Sequence, residues 1–380
     1  MKSYLTRDIR NVGIVGHGGT GKTQLVSSLL FAAGMTPRWG KVAEGSTATD
    51  WDEEEIARKI SIQTGLAHAE WPATPTGPSG SSEKVKINLV DLPGYSTFIT
   101  EAKASLIAAD AALITVDAHV GSQVTTEKVW DYCTEYDIPR AFVLTWMDRE
   151  LSSFERSMES LEQVFGRNIV ALQLPIGAER GFRGVIDLVA MKAHLYNTDG
   201  DGKPSIEEIP AALAGDAKEA HEKLVEMIAE GDDEMMEEFF REGTIPIHDL
   251  IPAVRKAIVA EKIFPVLMVS ALRNIGTASL LTFLADAFPH PDEHAQVGFK
   301  DPGGKGDRLE RKYDDGQPLS LFVFKTLADP FAGRINYFKI KSGILKNDAT
   351  LTNYNRNITE RFQHIQVVQG KQLIEVGDLR

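Results

Sequence analysis

The chain has 380 residues, 43% of them hydrophobic, which is enough for two or three domains with cores of their own. Its formal net charge of −13 argues against a general nucleic-acid binder, DNA included, and a single cysteine, Cys133, excludes a disulfide framework or a cysteine-held metal. No apolar run approaches ~20 residues, so no membrane span is expected, and the start MKSYLTRDIRNVGIVG has no secretory leader, so a cytoplasmic location is expected.

In chain order, NVGIVG (11–16) predicts a short apolar strand ending in glycines, and KTQLVSSLLFAAG (22–34) has helical apolar spacing with a glycine stop. A polar stretch rich in Asp, Glu and Thr runs to Lys59. ISIQTGLAHAEW (60–71) and VKINLV (85–90) predict the two arms of a hairpin, joined by the Pro/Gly/Ser tip PATPTGPSGSSEK. Strands AALITVDA (111–118), RAFVLT (140–145) and FPVLMVSA (264–271) then alternate with helical segments. Such alternation implies a mainly parallel sheet covered on both faces, with ligands at the carboxyl ends of its strands. The interval between Asp148 and Phe264 is too long for one crossover. It predicts a subdomain, 167–257, inserted into a first domain made of 1–166 and 258–290. Residues 205–243 of the insertion hold 13 acidic and 3 basic residues, so most of the net charge is one local feature. Residues 291–316 have the composition of a linker, and the short strands and turns of 317–380 predict a small β-barrel.

GHGGTGKT (16–23) fits G-x-x-x-x-G-K-[ST] where that motif belongs, after a strand and at the start of a helix. In such a loop the backbone N–H groups of His17, Gly18, Gly19, Thr20, Gly21, Lys22, Thr23 and Gln24, with the helix N-terminus, cradle phosphates. Lys22 is expected to reach the β- and γ-phosphates and Thr23 to ligate Mg²⁺. NLVDLPG (88–94) puts Asp91 at a strand end, where it would support the metal, and offers the Gly94 N–H to a γ-phosphate. D-x-x-G alone is more often just a turn; its place after a P-loop gives it weight.

A P-loop, D-x-P-G, an apolar strand ending in x-x-x-D, and SAL (270–272) follow one another in the order of the GTPase motifs. Longer stretches, ATDWDEEEIARKISI (48–62), LPIGAERGFRGVIDLVAMKA (174–193), PVLMVSALRNIGTASLLTFLADAFPHP (265–291) and DPFAGRINYFKIKSGIL (329–345), resemble bacterial elongation factor G. The resemblance covers nearly the whole chain. It implies a doubly wound α/β sheet of the P-loop GTPase type, an inserted α+β subdomain similar to that family's G′ subdomain, and a truncated β-barrel similar to its second domain. It also implies GTP and GDP as ligands, Mg²⁺ as cofactor, and hydrolysis of GTP on the ribosome, with ribosomal RNA and stalk proteins as partners and the chain itself a monomer. The similarity stops within the barrel at Arg380, as expected of a fragment of a longer protein. Ser61 matches a switch I Thr that ligates Mg²⁺, Asp148 the Asp that reads guanine, and Ser270 and Ala271 the backbone site for the guanine O6, with Leu272 beside them.

Four positions depart from the family pattern. Gly19 stands where translational GTPases usually carry an Asp linked to a monovalent cation, and Lys59 replaces the Gly of RGITI. Tyr95 replaces the His that positions the attacking water; a phenol is a poor general base near neutrality but can orient water by hydrogen bonding. Thr145-Trp146-Met147-Asp148 replaces N-K-x-D. Thr145 is expected to be too short to supply the brace that the Asn gives the P-loop. Trp146 either offers its face to the guanine or fills the pocket and blocks the base. Two other readings stay open: a ribosome-bound nucleotide-state switch with little hydrolysis, and a P-loop NTPase without guanine specificity. Residues 37–61, with few large apolar side chains and Ser61 as their tie, are expected to lose order without a γ-phosphate. The acidic run is either a solvated helical face or a docking surface, and the scattered histidines show no metal spacing.

Overall fold

The computed structural model describes residues 4–74, 84–230, 233–293, 296–301, 305–329 and 333–380. The first domain contains β1 (Ile9–Gly16), α1 (Lys22–Ala32), α2 (Glu53–Arg58), β2 (Gly65–Pro72), β3 (Lys84–Asp91), α3 (Ile99–Leu106), β4 (Ala111–Asp117), α4 (Val124–Glu135), β5 (Arg140–Thr145), α5 (Phe154–Phe165) and β6 (Ile169–Ala171). Next come β7 (Gln173–Ile176), β8 (Gly184–Asp187), β9 (Lys192–Leu195), β10 (Ser205–Glu207), α6 (Ala214–Ala229), α7 (Asp233–Glu242) and α8 (Ile247–Val259). The chain then returns through β11 (Phe264–Met268) and α9 (Thr277–Ala287).

Seven strands form the main sheet in the order β2-β3-β1-β4-β5-β11-β6. Only β2 runs antiparallel to its neighbour; every other pairing is parallel. β6 falls inside the span expected for the insertion, yet it pairs with β11 at the edge of this sheet. β10-β9-β8-β7 make a separate antiparallel sheet. The tip expected between β2 and β3 lies mostly outside the described residues.

The sheet divides the core in two because successive strand residues face opposite sides. Val12, Ile14, Leu89, Leu113, Val143 and Leu267 face α1 and α9, and that cluster runs on into α6 and α8. Val15, Val90, Ile114, Val116, Leu144 and Met268 face α3, α4 and α5. Every residue of β4 is buried, as a strand covered on both faces requires. Each fully buried Ile or Val there contributes roughly 1.5–3 kcal/mol relative to exposure. Residues 60–64, expected to begin a strand, do not. Glu55 accepts from the N–H groups of Ile62 and Gln63 at 2.9 Å, and Glu101 accepts from Thr64 N at 3.1 Å, so side chains satisfy this backbone instead of a ladder.

The last part of the chain forms short antiparallel pairs: β12 (Gln296–Asp301) with β13 (Lys305–Arg311), and β14 (Ser320–Asp329) with β15 (Gly333–Ser342). β16 (Leu345–Lys346), β17 (Ala349–Asn353), β18 (Ile358–Phe362), β19 (Ile365–Gln369), β20 (Gln372–Val376) and β21 (Asp378–Leu379) follow. Here β16 pairs with β21, β17 with β18 and β19 with β20. This is the pattern of a truncated β-barrel. Two ion pairs tie it to the first domain, Lys325 to Glu101 on α3 and Lys339 to Asp110.

The β19–β20 turn is a third tie. Gly370 N donates to Leu66 O at 2.7 Å, and the Gln369 amide brackets the backbone of His68 at 2.9 and 3.3 Å. A side chain at Gly370 would run into the backbone of Ala48. Lys371 Nζ lies 5.9 Å from the ring centroid of Trp51. The barrel thus touches the segment 48–51, which lies just ahead of α2.

Candidate functional site

The site lies at the carboxyl ends of β1, β3, β4, β5 and β11, around a cavity of about 310 Å³. β1 delivers the chain into the glycine loop, and Gly21, with a φ of 82°, caps α1. Lys22 folds back over that loop and donates to Gly16 O at 3.1 Å and His17 O at 2.8 Å. Burial pulls its ammonium down to about 8, against the opposing pull of Asp91 and Asp50. Thr20 Oγ1 sits 2.8 Å from His17 O and 2.6 Å from Thr115 Oγ1, which joins the loop to β4. Burial, and then Lys22, lower the pKa of His17, whose Nδ1 is buried without a partner. Gly94 follows β3 and meets the loop: a Cβ there would lie 2.8 Å from the carbonyl carbon of His17 and closer still to Gly16 O and Lys22 Nζ.

Beside the lysine stands a set of oxygen donors. Thr23 Oγ1 and Ser61 Oγ share a hydrogen bond of 2.8 Å, so helix α1 and the polar segment meet as expected. Thr49 Oγ1 donates to Asp91 Oδ2 at 2.7 Å, while Asp91 Oδ1 is buried with no partner. Asp50 is 5% exposed and lines the same cavity. Burial first, then Asp91, raises the pKa of Asp50; burial also raises that of Asp91, against the hydrogen bond from Thr49 and the neighbouring Thr23 hydroxyl. Two buried carboxylates, an orphaned carboxylate oxygen and two adjacent hydroxyls suit a hard divalent cation such as Mg²⁺. Sequence reasoning missed Asp50.

The segment 37–61 has more ties than Ser61 alone. Gln24 Nε2 and Ser27 Oγ donate to Gly40 O at 3.1 and 2.7 Å, and Gln24 Oε1 accepts from Val42 N at 3.1 Å. Gln24, expected at the nucleotide, lines the cavity but commits its amide to this segment. Asp52 caps α2 by accepting from Glu54 N at 2.9 Å.

On the base side, Thr145 overturns the expectation placed on it. Its Oγ1 lies 2.8 Å from Thr20 O, so the hydroxyl does brace the P-loop. The end of β5 runs close enough to the loop that a short side chain spans the gap. Trp146 has a φ of 59°, and its Nε1 donates to Gly19 O at 3.2 Å. It borders the cavity together with Leu272. Asp148 Oδ1 accepts from Ser270 Oγ at 2.6 Å, and Arg273 Nε lies 3.5 Å from its Oδ2. Ala271 O accepts from Ser28 Oγ at 2.7 Å, which anchors the 270–272 turn to α1. Tyr95 is 42% exposed, with its ring packed on Gly18. Of the residues singled out from the sequence, Gly18, Gly19, Gly21, Lys22, Thr23, Gln24, Ser61, Gly94, Tyr95, Trp146 and Leu272 line the cavity, whereas His17, Thr20, Asp91, Asp148, Ser270 and Ala271 do not line it themselves.

A glycine loop between a parallel strand and a helix, with lysine, hydroxyls and carboxylates around a cavity at the strand ends, defines a P-loop nucleotide-binding domain. Residues 7–290 match the family model of the elongation factor Tu GTP binding domain, and the chain belongs to that family of GTPases. Over 98% of its length it is similar to the crystal structure of a protein from Thermus thermophilus, with a TM-score of 0.81 and 31% sequence identity. The chain spans 51% of that protein, and the fold is that of an elongation-factor-G-like translational GTPase. Among the described residues no helix is long and apolar enough to cross a membrane.

Proposed function

We propose that the chain binds GTP with Mg²⁺ and hydrolyses it to GDP and phosphate as an elongation-factor-G-type translation factor in the cytoplasm, with the ribosome as partner. The observation that carries this reading is the Thr23–Ser61 contact beside the orphaned oxygen of Asp91. It joins the P-loop helix to a separate segment beside the carboxylates that would support a divalent cation.

Lys22 would supply positive charge to the β- and γ-phosphates, and the Gly94 N–H would donate to the γ-phosphate. Thr23 and Ser61 would ligate Mg²⁺, with Asp91 and Asp50 in support. Bound there, the metal offsets charge on the phosphate oxygens. Tyr95, at the mouth of the cavity, orients the attacking water in line with the γ-phosphate. Asp148, held by Ser270, accepts from the guanine N1–H and exocyclic amine. Such hydrogen bonds contribute roughly 1.5–3 kcal/mol each, and adenine would turn a bare N1 lone pair to the carboxylate in place of a donor. Trp146 offers an aromatic face worth about 1–3 kcal/mol of base stacking. The Thr145 brace weakens one of the two arguments for lost guanine reading, and Trp146 remains the other.

The acidic insertion, residues 205–243, would dock on ribosomal stalk proteins, and smaller basic patches would meet ribosomal RNA. A second reading, a nucleotide-state switch with little hydrolysis, draws on Tyr95, which lies on Gly18 and brings a phenol where the family has an imidazole. Phosphate release measured with GTP and with ATP, with and without ribosomes, tests both. Release specific to GTP and stimulated by ribosomes supports the enzyme. Tight GTP binding with no release under any condition supports the switch and overturns hydrolysis.

A further inference from the structure

Trp146 has an unusual backbone. A left-handed φ of 59° is costly for a large L-residue and persists only where its surroundings hold it. The indole makes one hydrogen bond, to Gly19 O at 3.2 Å. The ring also packs on Gly21 of the glycine loop, and the guanidinium carbon of Arg149 lies 4.3 Å from its centroid. Trp146 borders the cavity, and Arg149 lies over its ring. Arg149 is itself fixed: Nη1 donates to Asp117 Oδ2 at 2.8 Å. Asp117 ends β4, is 6% exposed, and takes the N–H of His119 on its other oxygen at 2.9 Å. A continuous line of contacts therefore runs from the end of a buried strand, through a carboxylate and a guanidinium, to the ring beside the base.

We propose that Arg149 is a positioning residue for the purine base: pinned by Asp117, it holds the Trp146 indole flat as a stacking platform. This inference rests on the guanine-nucleotide reading of the site. A cation over one face of an exposed indole changes an equilibrium by about 2–5-fold, and by more where it is desolvated. An exposed ion pair with no such task is worth little. Arg149 thus acts on the base through Trp146, without touching it, and its contribution vanishes once the indole is gone.

The test is a double-mutant cycle of GDP affinity by calorimetry on the full chain: wild type, Arg149→Ala, Trp146→Ala and the pair, with Arg149→Lys as partial rescue and circular dichroism as a control for folding. Arg149→Ala is expected to weaken GDP about 2–5-fold and to speed its dissociation. In the Trp146→Ala background, Arg149→Ala should change GDP affinity by less than about 2-fold. The indole fluorescence change on binding GDP, assigned by its loss in Trp146→Phe, should shrink in Arg149→Ala. Unchanged GDP affinity in Arg149→Ala, or the same loss with and without the indole, overturns the positioning role. If the wild type does not bind GDP at all, the guanine reading itself fails, and the role falls with it.

Discussion

Gly94→Ala is the sharpest single probe of the phosphate cradle. An added methyl would sit 2.8 Å from the carbonyl carbon of His17, and closer to Gly16 O and Lys22 Nζ. Lys22 is flexible, but the backbone of the glycine loop is not. At an ordinary van der Waals separation the loop after β3 and the P-loop must part by roughly 1 Å, an overpacking strain of about 1–3 kcal/mol. Lys22 then loses its fit over Gly16 O and His17 O, which affects any nucleotide. The Gly94 N–H also moves away from the γ-phosphate, and a hydrogen bond to a charged group is worth roughly 1.5–3 kcal/mol. GDP affinity should therefore fall about 10-fold, and affinity for a non-hydrolysable GTP analogue by a further ~10–100-fold. Calorimetry with both nucleotides at fixed Mg²⁺, on protein with unchanged circular dichroism, measures this. Equal losses for the two nucleotides, or none, would refute the placement of Gly94 at the γ-phosphate.

Lys22→Ala removes two charge-assisted bonds to phosphate, so GDP affinity should drop by ~10²–10⁴-fold; near wild-type affinity with an intact fold would contradict the site. Tyr95→His in the full-length protein should raise ribosome-stimulated phosphate release, since a positioned acid–base group contributes ~10²–10⁴-fold. An unchanged rate would show that Tyr95 already positions the water. Burial, with Lys339 beside it, pulls Lys341 down to about 7. Between that value and the unfolded ~10.4 the folded state holds fewer protons, so this group makes stability climb with pH. Lys341→Met should therefore stabilise the protein by roughly 1–3 kcal/mol near neutral pH and by less at alkaline pH. Thermal denaturation at the two pH values checks this, and an equal gain at both would refute it.

The elements legible in the sequence are those whose pattern is local. RAFVLT became β5 with the same limits, and the helix after GHGGTGKT begins at Lys22 as its spacing indicates. Four features were hidden because each depends on where distant parts of the chain meet. Asp50 is one acid among several in ATDWDEEE; Asp52 is spent on a helix cap, and only the fold shows that Asp50 is the buried one. Thr145 is short, and nothing in TWMD reveals how near β5 brings it to Thr20 O. Residues 60–64 have the apolar character of a strand, but Glu55 and Glu101 take up their N–H groups. β6 joins the main sheet through β11, which lies far later in the chain, so its sequence looks like the start of the insertion.

The contact of Gly370 with Ala48 has a mechanical consequence. Both neighbouring pieces of the first domain, the segment that carries Asp50 and the strand that carries His68, bear on the same barrel turn. A rearrangement of residues 48–61 during the nucleotide cycle must therefore loosen the turn or carry it along. Where two such events are linked, the linkage is reciprocal: a nucleotide that favours the seated turn is itself bound more tightly, by the same factor, when the turn is held in place. A load applied to the barrel from outside would then be felt at the phosphates without any contact between the source of that load and the nucleotide.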